Sequence, residues 1–428
     1  MKAAFYTLGC KVNQYETEYM SELLKKAGFE IVPPEEKADY YIINSCTVTA
    51  TADQKTRQSV RRFKRRHPDS IVILTGCMPQ AFPEDAEALT EADIVLSNKN
   101  DFDILKLINE YEQKKARLVR IEKHKTGDEF RYCSINGFND RIRAFVKIED
   151  GCDRFCSYCI IPESRGRVRS KKPENLKKEI ENLADNAVKE IVLVGINLSA
   201  YGKGEDYNIV DAVKICADTK GIERVRLGSL EPDHITDDII RQLSQIHKFC
   251  PQFHISLQSG CNKTLKNMNR HYTAEEYRAL CEKLRNAFEN ASITTDVMVG
   301  FNEETDDDFT ESLDFVKSIG FEKVHVFPYS QRNGTAASRK GDSVTKQEKE
   351  KRAQIMIEET EKIRSGYLKG LVGKTAEVLF ENEILPGIFQ GYTKNYLPVR
   401  KESKKDNLLG KILNVKITDY CDEFCMAE

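Results

Sequence analysis

Three cysteines stand within eight residues of one short stretch, GCDRFCSYC, at residues 151–159. Their spacing is Cys-x₃-Cys-x₂-Cys, and closely spaced thiolates suit zinc or an iron–sulfur cluster. A structural zinc site takes four ligands, and no matching cysteine pair accompanies these three. A four-iron cluster held by three cysteines keeps one iron open for a substrate or a cofactor. The spacing therefore predicts an open iron–sulfur site, with coincidental buried thiols as the alternative.

Three further cysteines, Cys10, Cys46 and Cys77, each come shortly after an apolar segment that reads as a β-strand. The three predicted strands are Lys2–Thr7, Tyr40–Asn44 and Ile71–Thr75. Helical periodicity between them, as over Gln14–Ala27, predicts a parallel sheet with helices on both faces. Ligands bind at the carboxyl ends of strands in such sheets, so the three thiols could converge there. The residues alone leave ordinary buried cysteines open as the alternative.

A second alternating region follows a polar stretch at residues 124–140 and contains six strand candidates. They are Arg143–Ile148, Glu190–Val194, Arg224–Leu227, His254–Leu257, Ser292–Met298 and Lys323–Phe327. Helical patterns separate them, which predicts an incomplete barrel of six β/α units. The three-cysteine loop follows the first of these strands. It would therefore lie at the end of the barrel where active sites of such folds are found.

The last segment, from Gly373 to Asp419, changes to short strand-like runs with Gly, Pro and Asn turns, which predicts a small β-barrel. The predicted fold class is α/β. It combines an N-terminal open parallel α/β sheet domain, a central incomplete (βα)₆ barrel and a small C-terminal β-barrel. We expect these domains at residues 1–115, 139–368 and 371–428.

The bulk composition narrows the class of protein. The 428 residues are too many for one hydrophobic core, and 13 cysteines are too few for a disulfide scaffold. No apolar run is long enough for a membrane span, and the N-terminus lacks a secretory signal, so we expect a cytoplasmic protein with reduced thiols. The net charge of −2 means that any nucleic-acid surface must be local.

The first cysteine stretch and its surroundings resemble a known superfamily. The run FVKIEDGCDRFCSYCIIP at residues 145–162, followed by Arg165-Gly166, is similar to the radical S-adenosylmethionine (SAM) superfamily and, within it, to the methylthiotransferases. The resemblance implies a 4Fe–4S cluster on Cys152, Cys156 and Cys159, whose open iron chelates SAM and cleaves it to a 5′-deoxyadenosyl radical. It also implies insertion of sulfur into an unactivated C–H bond and methylation from another SAM.

The resemblance extends along the whole chain. TLGCKVNQYET at residues 7–17, NSCTVT at 44–49 and TGCMPQ at 75–80 resemble the three cysteine motifs of the family's N-terminal domain. It implies a second 4Fe–4S cluster, held by Cys10, Cys46 and Cys77 and also open at one iron. Asn302 and Asn333 depart from the family pattern, which commonly has proline at both places. The residues that would contact SAM are Tyr158, Gly195, Asn197, Ser229, Glu231, Gln258 and Ser259.

Basic segments beside these loops favour an RNA substrate, with solvated helix faces as the alternative. Residues 55–67, KTRQSVRRFKRRH, carry seven Lys or Arg and no acid. The C-terminal segment resembles a TRAM domain, an RNA-binding barrel, and it combines basic residues with two tyrosines. The residues expected to contact RNA are Arg61, Arg62, Arg65, Arg66, Arg165, Arg167, Arg332, Tyr392, Lys394 and Tyr396.

The first cysteine motif indicates the substrate branch. LGCKVNQYE at residues 8–16 resembles the enzymes that act on N6-threonylcarbamoyladenosine beside the tRNA anticodon. Isopentenyladenosine enzymes tend to show Gln-Met-Asn there, and ribosomal-protein enzymes Pro-Lys-Asn. The resemblance implies methylthiolation at adenine C2 in a tRNA anticodon stem-loop by a monomer, with a flavodoxin-like electron donor and an unidentified sulfur donor. The isopentenyladenosine enzyme, the ribosomal-protein aspartate enzyme and a non-catalytic metal-containing RNA-binding protein stay open as alternatives.

Overall fold

The structure is a computed structural model, and it describes residues 1–137, 142–421 and 423–428. The predicted start of the central domain at residue 139, and the end of the polar stretch before it, lie outside those residues. Within the described residues, no helix is both long enough and apolar enough to cross a membrane. Three parts follow one another along the chain: an N-terminal sheet, an open central barrel and a closed C-terminal barrel.

The N-terminal part is a six-stranded parallel sheet in the order β2-β1-β3-β4-β5-β6. Its elements are β1 (Lys2–Thr7), α1 (Lys11–Lys26), β2 (Glu30–Val32), β3 (Tyr40–Ser45), α2 (Ala50–Arg66), β4 (Ile71–Gly76), α3 (Cys77–Ala81), α4 (Pro83–Glu87), β5 (Ile94–Leu96), α5 (Ile104–Lys114) and β6 (Leu118–Arg120). The sheet thus extends through β6, past the predicted boundary at residue 115. The strands predicted before Cys10, Cys46 and Cys77 are confirmed, and they are neighbours in space.

Both faces of this sheet are buried, as parallel sheets require. Alternate residues of β3 enter opposite cores: Tyr41 and Ile43 pack with α2, while Tyr40 and Ile42 pack with α1 and α5. Because β1, β3 and β4 run in parallel and in register, their carboxyl ends meet at one edge of the sheet. The three cysteines follow at that edge.

The central part contains all six predicted barrel strands. Its elements are β7 (Arg143–Lys147), β8 (Glu149–Asp150), α6 (Ile161–Arg165), β9 (Arg169–Ser170), α7 (Pro173–Asp185), β10 (Glu190–Val194), α8 (Ile209–Asp218), β11 (Arg224–Leu227), β12 (Ser229–Leu230), α9 (Asp237–Ser244), β13 (Gln252–Ile255), α10 (Asn262–Asn267), α11 (Ala274–Ala287), β14 (Ser292–Val299), α12 (Asp306–Ile319), β15 (Lys323–Pro328) and α13 (Lys346–Lys369).

The barrel strands are parallel and form the sheets β11-β10-β7 and β12-β13-β14-β15, which a parallel bridge from Val225 to Phe249 connects. In the part of the chain that the structure describes, β7 and β15 do not pair, so the barrel is open between them. Helix α1 of the N-terminal part packs against β7 beside this opening. The predicted incomplete barrel is confirmed.

The C-terminal part is a closed five-stranded barrel in the order β16-β17-β18-β20-β19. Its strands are β16 (Thr375–Leu385), β17 (Ile388–Thr393), β18 (Pro398–Glu402), β19 (Ile412–Tyr420) and β20 (Cys425–Ala427). It docks where the central strands begin. Arg224, the first residue of β11, donates from Nη1 to the Tyr392 carbonyl at 2.8 Å, and Ser292, the first residue of β14, donates from Oγ to the Asn395 carbonyl at 2.7 Å.

Candidate active site

The three-cysteine loop connects β8 to α6 at the carboxyl-terminal end of the central barrel. Its backbone is tied down by outside partners: the Cys152 amide donates to the Gly166 carbonyl at 3.0 Å, and the Ser157 amide donates to the Met268 carbonyl at 2.9 Å. Cys152, Cys156 and Cys159 are free thiols of intermediate exposure. The loop therefore presents three unpaired sulfurs on a fixed backbone.

Gly151, which begins this loop, must be glycine. Its φ of +88° lies in the left-handed region, and a Cβ there would collide with the carbonyl oxygen of Arg167. The close approach of residues 151 and 167 turns the chain so that Cys152 leaves the end of β8. Gly151 thus determines the direction in which the chain continues into Cys152.

Two of these thiols, Cys152 and Cys159, resist ionisation in the absence of a cation. Burial, together with the neighbouring Cys156, raises the pKa of Cys152 to about 12, and it raises the pKa of Cys159 further. The positive charge of Arg270 partly offsets the rise in the pKa of Cys159, and Arg270 Nη1 donates to Cys156 Sγ at 3.3 Å. A metal centre stabilises thiolates in such a place because its charge replaces the proton.

The type and number of donors suit an iron–sulfur cluster. Cys152, Cys156 and Cys159 offer three free thiols in one loop, and the loop contains no fourth cysteine. Structural zinc sites take four protein ligands, whereas iron–sulfur clusters are bound by cysteine thiolates. The donor set therefore fits an iron–sulfur cluster better than it fits structural zinc.

The second set of cysteines gathers at the edge of the N-terminal sheet. Cys10 and Cys46 are neighbours, because a Cβ placed on Gly9 would lie 2.9 Å from Cys46 Cβ. Cys77 begins α3 and is buried, which raises the pKa of its thiol to about 12, and the charges of Cys46 and Cys10 act in the same direction. The structure therefore brings the three thiols together, as the strand ends predicted, and their mutual repulsion as thiolates again fits a cationic iron centre.

Arg165 connects the two cysteine regions. Its Nε donates to Cys77 Sγ at 3.3 Å, and its Nη2 donates to Glu16 Oε2 at 3.0 Å. The side chain is 1% exposed, so the expectation that Arg165 contacts RNA is wrong. The physical reason is that an N-terminal carboxylate and a cysteine sulfur satisfy the guanidinium inside the protein.

Arg332 was also expected on the RNA-facing surface, and that expectation is wrong for the same reason. Its side chain is buried, its Nη2 donates to Thr47 Oγ1 at 2.8 Å, and it forms an ion pair with Asp53 of α2. It therefore fastens the segment after β15 to the segment that follows Cys46.

Three of the residues expected to bind SAM have free capacity to bind a ligand. Asn197 Oδ1 and Gln258 Oε1 are buried without a hydrogen-bond partner among the described residues, and Ser229 is exposed at the start of β12. Gln258 also has a φ of +68°, which is strained for a non-glycine residue. Unsatisfied buried oxygens cost free energy, so their presence here fits a polar ligand such as SAM.

The other expected SAM residues are engaged with the protein. Glu231 forms ion pairs with Arg270 and Arg154, and Ser259 Oγ donates to Ser312 Oγ at 3.4 Å. The Tyr158 ring packs edge-on against Phe301 at 6.2 Å.

Gly195 lies directly against the Glu149 carboxylate, because a Cβ there would be 2.6 Å from Oε2. Glu149 is a residue that sequence reasoning missed. It is fully buried, burial raises its pKa well above the usual range, and its Oε1 has no partner among the described residues. The available signal was an acidic pair, Glu149-Asp150, inside an otherwise apolar strand region.

Two family models match the chain, one described as "Uncharacterized protein family UPF0004" over residues 2–97 and one as the radical SAM superfamily over residues 146–316. The chain is 38% identical to a threonylcarbamoyladenosine tRNA methylthiotransferase MtaB of Bacillus subtilis (strain 168) over 420 residues, which cover 97% of this chain and 93% of that protein. The chain belongs to the radical SAM methylthiotransferase family.

Other relatives of this methylthiotransferase carry two different names. An MtaB of Aquifex aeolicus (strain VF5) is 36% identical over 97% of this chain and 100% of its own length. A tRNA-2-methylthio-N(6)-dimethylallyladenosine synthase of Clostridium novyi (strain NT) is 35% identical over 96% of this chain and 93% of its own length. Among solved structures, the radical SAM methyltransferase TsrM of Kitasatospora setae aligns with a TM-score of 0.54 at 13% identity, over 76% of this chain and 72% of that one, and it shows the shared fold.

A cavity of about 1560 Å³ lies where the three parts of the methylthiotransferase meet. The central barrel contributes His254, Asp296 and His325 from its strands, and the N-terminal part contributes Cys10 and Lys11. His254 Nε2 lies 3.1 Å from Asp296 Oδ2. These polar residues of the barrel interior were missed because single His and Asp residues on a strand carry no spacing signal.

Tyr392 and Tyr396 of the C-terminal barrel line the same cavity. Their rings stack at 4.7 Å, and the Lys394 carbonyl accepts from Arg226 Nη1 at 2.8 Å. The segment that contains Tyr392, Lys394 and Tyr396, which was expected to contact RNA, therefore lies against the central barrel.

The basic helix α2 does present an open cationic face. Arg61, Arg62, Arg65 and Arg66 are exposed, and Arg167 is exposed beside the three-cysteine loop. Arg61 pairs with Glu91 at 3.2 Å, and the Arg62 guanidinium lies over the Tyr6 ring at 5.0 Å. Phosphates would be the natural partners of such a face.

Proposed function

We propose that this methylthiotransferase converts N6-threonylcarbamoyladenosine beside the tRNA anticodon into its 2-methylthio derivative. The observation that carries the proposal is similarity over nearly the full length to relatives named for threonylcarbamoyladenosine, at 38% and 36% identity. The similarity spans the N-terminal sheet, the barrel and the C-terminal barrel together, so the cysteine loops and the cavity lie within it.

Two iron–sulfur clusters would serve this reaction. Cys152, Cys156 and Cys159 would hold one, with SAM at its open iron, and Cys10, Cys46 and Cys77 would hold the other. Bound at these places, the clusters and SAM would supply the one-electron chemistry and the sulfur that an unactivated adenine C2–H bond requires. The free thiols support both assignments.

The chain's own side chains would position and shield these groups. Arg270 and Arg165 each donate to one cysteine sulfur, which reduces the negative charge that a cluster would carry. The unsatisfied oxygens of Asn197 and Gln258 would accept hydrogen bonds from SAM, and the Glu149 carboxyl would contact it through Oε1. The cavity beside Cys10 would receive the base and exclude water from it.

The RNA would approach along exposed cations. Arg65 and Arg66 of α2 and Arg167 beside the three-cysteine loop would contact phosphates, while Tyr392 and Tyr396 at the cavity would stack on a base of an anticodon stem-loop. A target adenine in a loop is unstacked at lower cost than one in a duplex. A small flavodoxin-like protein would supply electrons to the monomeric enzyme.

A second candidate substrate is N6-isopentenyladenosine. The Clostridium novyi relative is 35% identical and is named for the dimethylallyl compound, so overall identity separates the two branches only slightly. The two substrates differ in charge on the N6 substituent, which provides a direct test of the cavity.

The two cysteine sets can be tested separately by anaerobic reconstitution. We expect about eight irons per wild-type chain and about four in either single-site variant. Cys156→Ala should abolish SAM cleavage, whereas Cys46→Ala should retain cleavage and lose thiolation. Cys421→Ala, which removes an exposed thiol near the C-terminus, is the control and should behave as wild type. About four irons in the wild-type protein would contradict the two-cluster assignment.

A further inference from the structure

Lys11 is a positive charge without a carboxylate partner in the wall of the central cavity. Its ammonium lies 5.6 Å from the centre of the Phe145 ring, and no carboxylate of the described residues is within ion-pair distance of it. Nearby arginines are compensated: Arg143 pairs with Glu381 at 3.2 Å, and Arg226 pairs with Glu190 at 3.0 Å. Lys11 therefore differs from its cationic neighbours in lacking an anion.

The surroundings of Lys11 add to this imbalance. The guanidinium groups of Arg143 and Arg226 lie against the ring of Tyr396, which lines the same cavity as Lys11, so this part of the wall is rich in cations. Taking an ammonium partly out of water costs free energy unless an opposite charge or a set of acceptors compensates it. An anion that entered the cavity would supply that charge.

The chemistry of the substrate places an anion near this position. In adenine, C2 and C6 flank the ring nitrogen N1, and N6 is bonded to C6, so a group on N6 extends only a short distance from the carbon that receives sulfur. Lys11 is adjacent in sequence to Cys10, and consecutive Cα atoms are about 3.8 Å apart. The threonylcarbamoyl group ends in a carboxylate, whereas an isopentenyl group is an uncharged hydrocarbon.

We propose that Lys11 binds the carboxylate of the threonylcarbamoyl group and thereby selects this adenosine over adenosines with uncharged N6 groups. The assignment rests on the proposed function, and it names the specificity-determining residue of that site. The Lys11 ammonium lies over the Phe145 ring, an uncharged partner, and Lys11 lines the cavity, so its charge is available to an anion there.

The test compares two anticodon stem-loop RNAs that differ by one charge. One carries N6-threonylcarbamoyladenosine, and the other carries its methyl ester. Dissociation constants are measured anaerobically by fluorescence anisotropy with reconstituted full-length protein. Wild-type protein should bind the acid about ten- to 100-fold more tightly than the ester, the value of a charge-assisted hydrogen bond. Lys11→Gln should bind the two equally, and Lys11→Arg should keep most of the preference.

Comparison within each variant removes effects of folding or cluster loading. Lys323→Gln, which removes a lysine from another wall of the cavity, is the matched control and should keep the wild-type preference. A Lys11→Gln protein that still prefers the acid would overturn the Lys11 assignment alone. A wild-type protein that binds the threonylcarbamoyl RNA no better than unmodified RNA would overturn the proposed function as well.

Discussion

Single side chains from distant parts of the sequence hold the cysteine loops. Arg270 reaches Cys156 from the segment after α10, and Arg165 reaches Cys77 across the boundary between the first two parts of the chain. Spacing alone identified Cys152, Cys156 and Cys159, because ligands within one loop leave a local pattern. It could not identify these arginines, because a contact between residues 88 or more positions apart depends on the folded structure.

At the residue scale, Gly151 gives a direct test of loop geometry. Gly151→Ala should destabilise the protein and lower its iron content, because a Cβ would collide with the Arg167 carbonyl. Gly204→Ala is the matched control: its φ is +83°, yet nothing lies within 4 Å of the added carbon. The control should cost only the left-handed strain, about 1–2 kcal/mol, without loss of iron. Urea unfolding and iron analysis would measure both, and equal effects would contradict the account.

At the element scale, the segment after β15 joins the two cysteine regions. The Ala337 amide donates to the Ser157 carbonyl at 2.7 Å, inside the three-cysteine loop. Seven residues earlier, Ser330 Oγ accepts from the Ala50 amide at 3.0 Å, at the start of α2, and Arg332 pairs with Asp53. The segment at residues 330–337 therefore contacts both cysteine regions and holds the two candidate cluster sites at a fixed distance from each other.

The Arg332–Asp53 pair can be measured by a double-mutant cycle. Arg332→Met leaves the Asp53 carboxylate buried without its cation and should cost about 3–5 kcal/mol in free energy of unfolding. Asp53→Asn should be costly for the same reason, and the double variant should cost less than the sum. Ser330→Ala removes one hydrogen bond and should cost only about 0.5–1.5 kcal/mol. Strict additivity of the two single variants would show that this pair does not couple the elements.

Elements were predictable from the sequence where burial makes a strong pattern. The apolar runs of β3, β4 and β10 were found because strands buried on both faces leave continuous hydrophobic segments, whereas β11 (RVRL) and β15 (KVHVFP) were found from alternating apolar residues. Helix α1 begins at Lys11, three residues before its predicted start, because the polar first turn hides the periodicity. The role of the segment at residues 330–337 could not be read, since its contacts lie in two other parts of the fold.

At the scale of the whole molecule, the N-terminal sheet, the central barrel and the C-terminal barrel each contribute residues to the lining of one cavity. The closed C-terminal barrel supplies backbone acceptors for guanidinium groups of the central strands, as with Tyr392 and Arg224. The barrel is therefore part of the structural frame of the active site, beyond any contact it makes with RNA.

Removal of residues 371–428 should therefore destabilise the remaining chain. Arg224 is buried beneath this barrel and would lose both the Tyr392 carbonyl and the Glu377 carboxylate, while the surface that the two barrels share would become exposed to water. Scanning calorimetry should show a lower unfolding temperature for the central barrel in the shortened protein. An unchanged unfolding temperature would mean that the C-terminal barrel does not stabilise the central barrel.

The central claim is methylthiolation of threonylcarbamoyladenosine in tRNA, and nucleoside mass spectrometry tests it most directly. Reconstituted protein would be incubated anaerobically with SAM, a reductant and two tRNAs, one with N6-threonylcarbamoyladenosine and one with N6-isopentenyladenosine. We expect 2-methylthio-N6-threonylcarbamoyladenosine to form and the isopentenyl nucleoside to stay unchanged. Conversion of the isopentenyl nucleoside alone, or SAM cleavage with both nucleosides unchanged, would contradict the account.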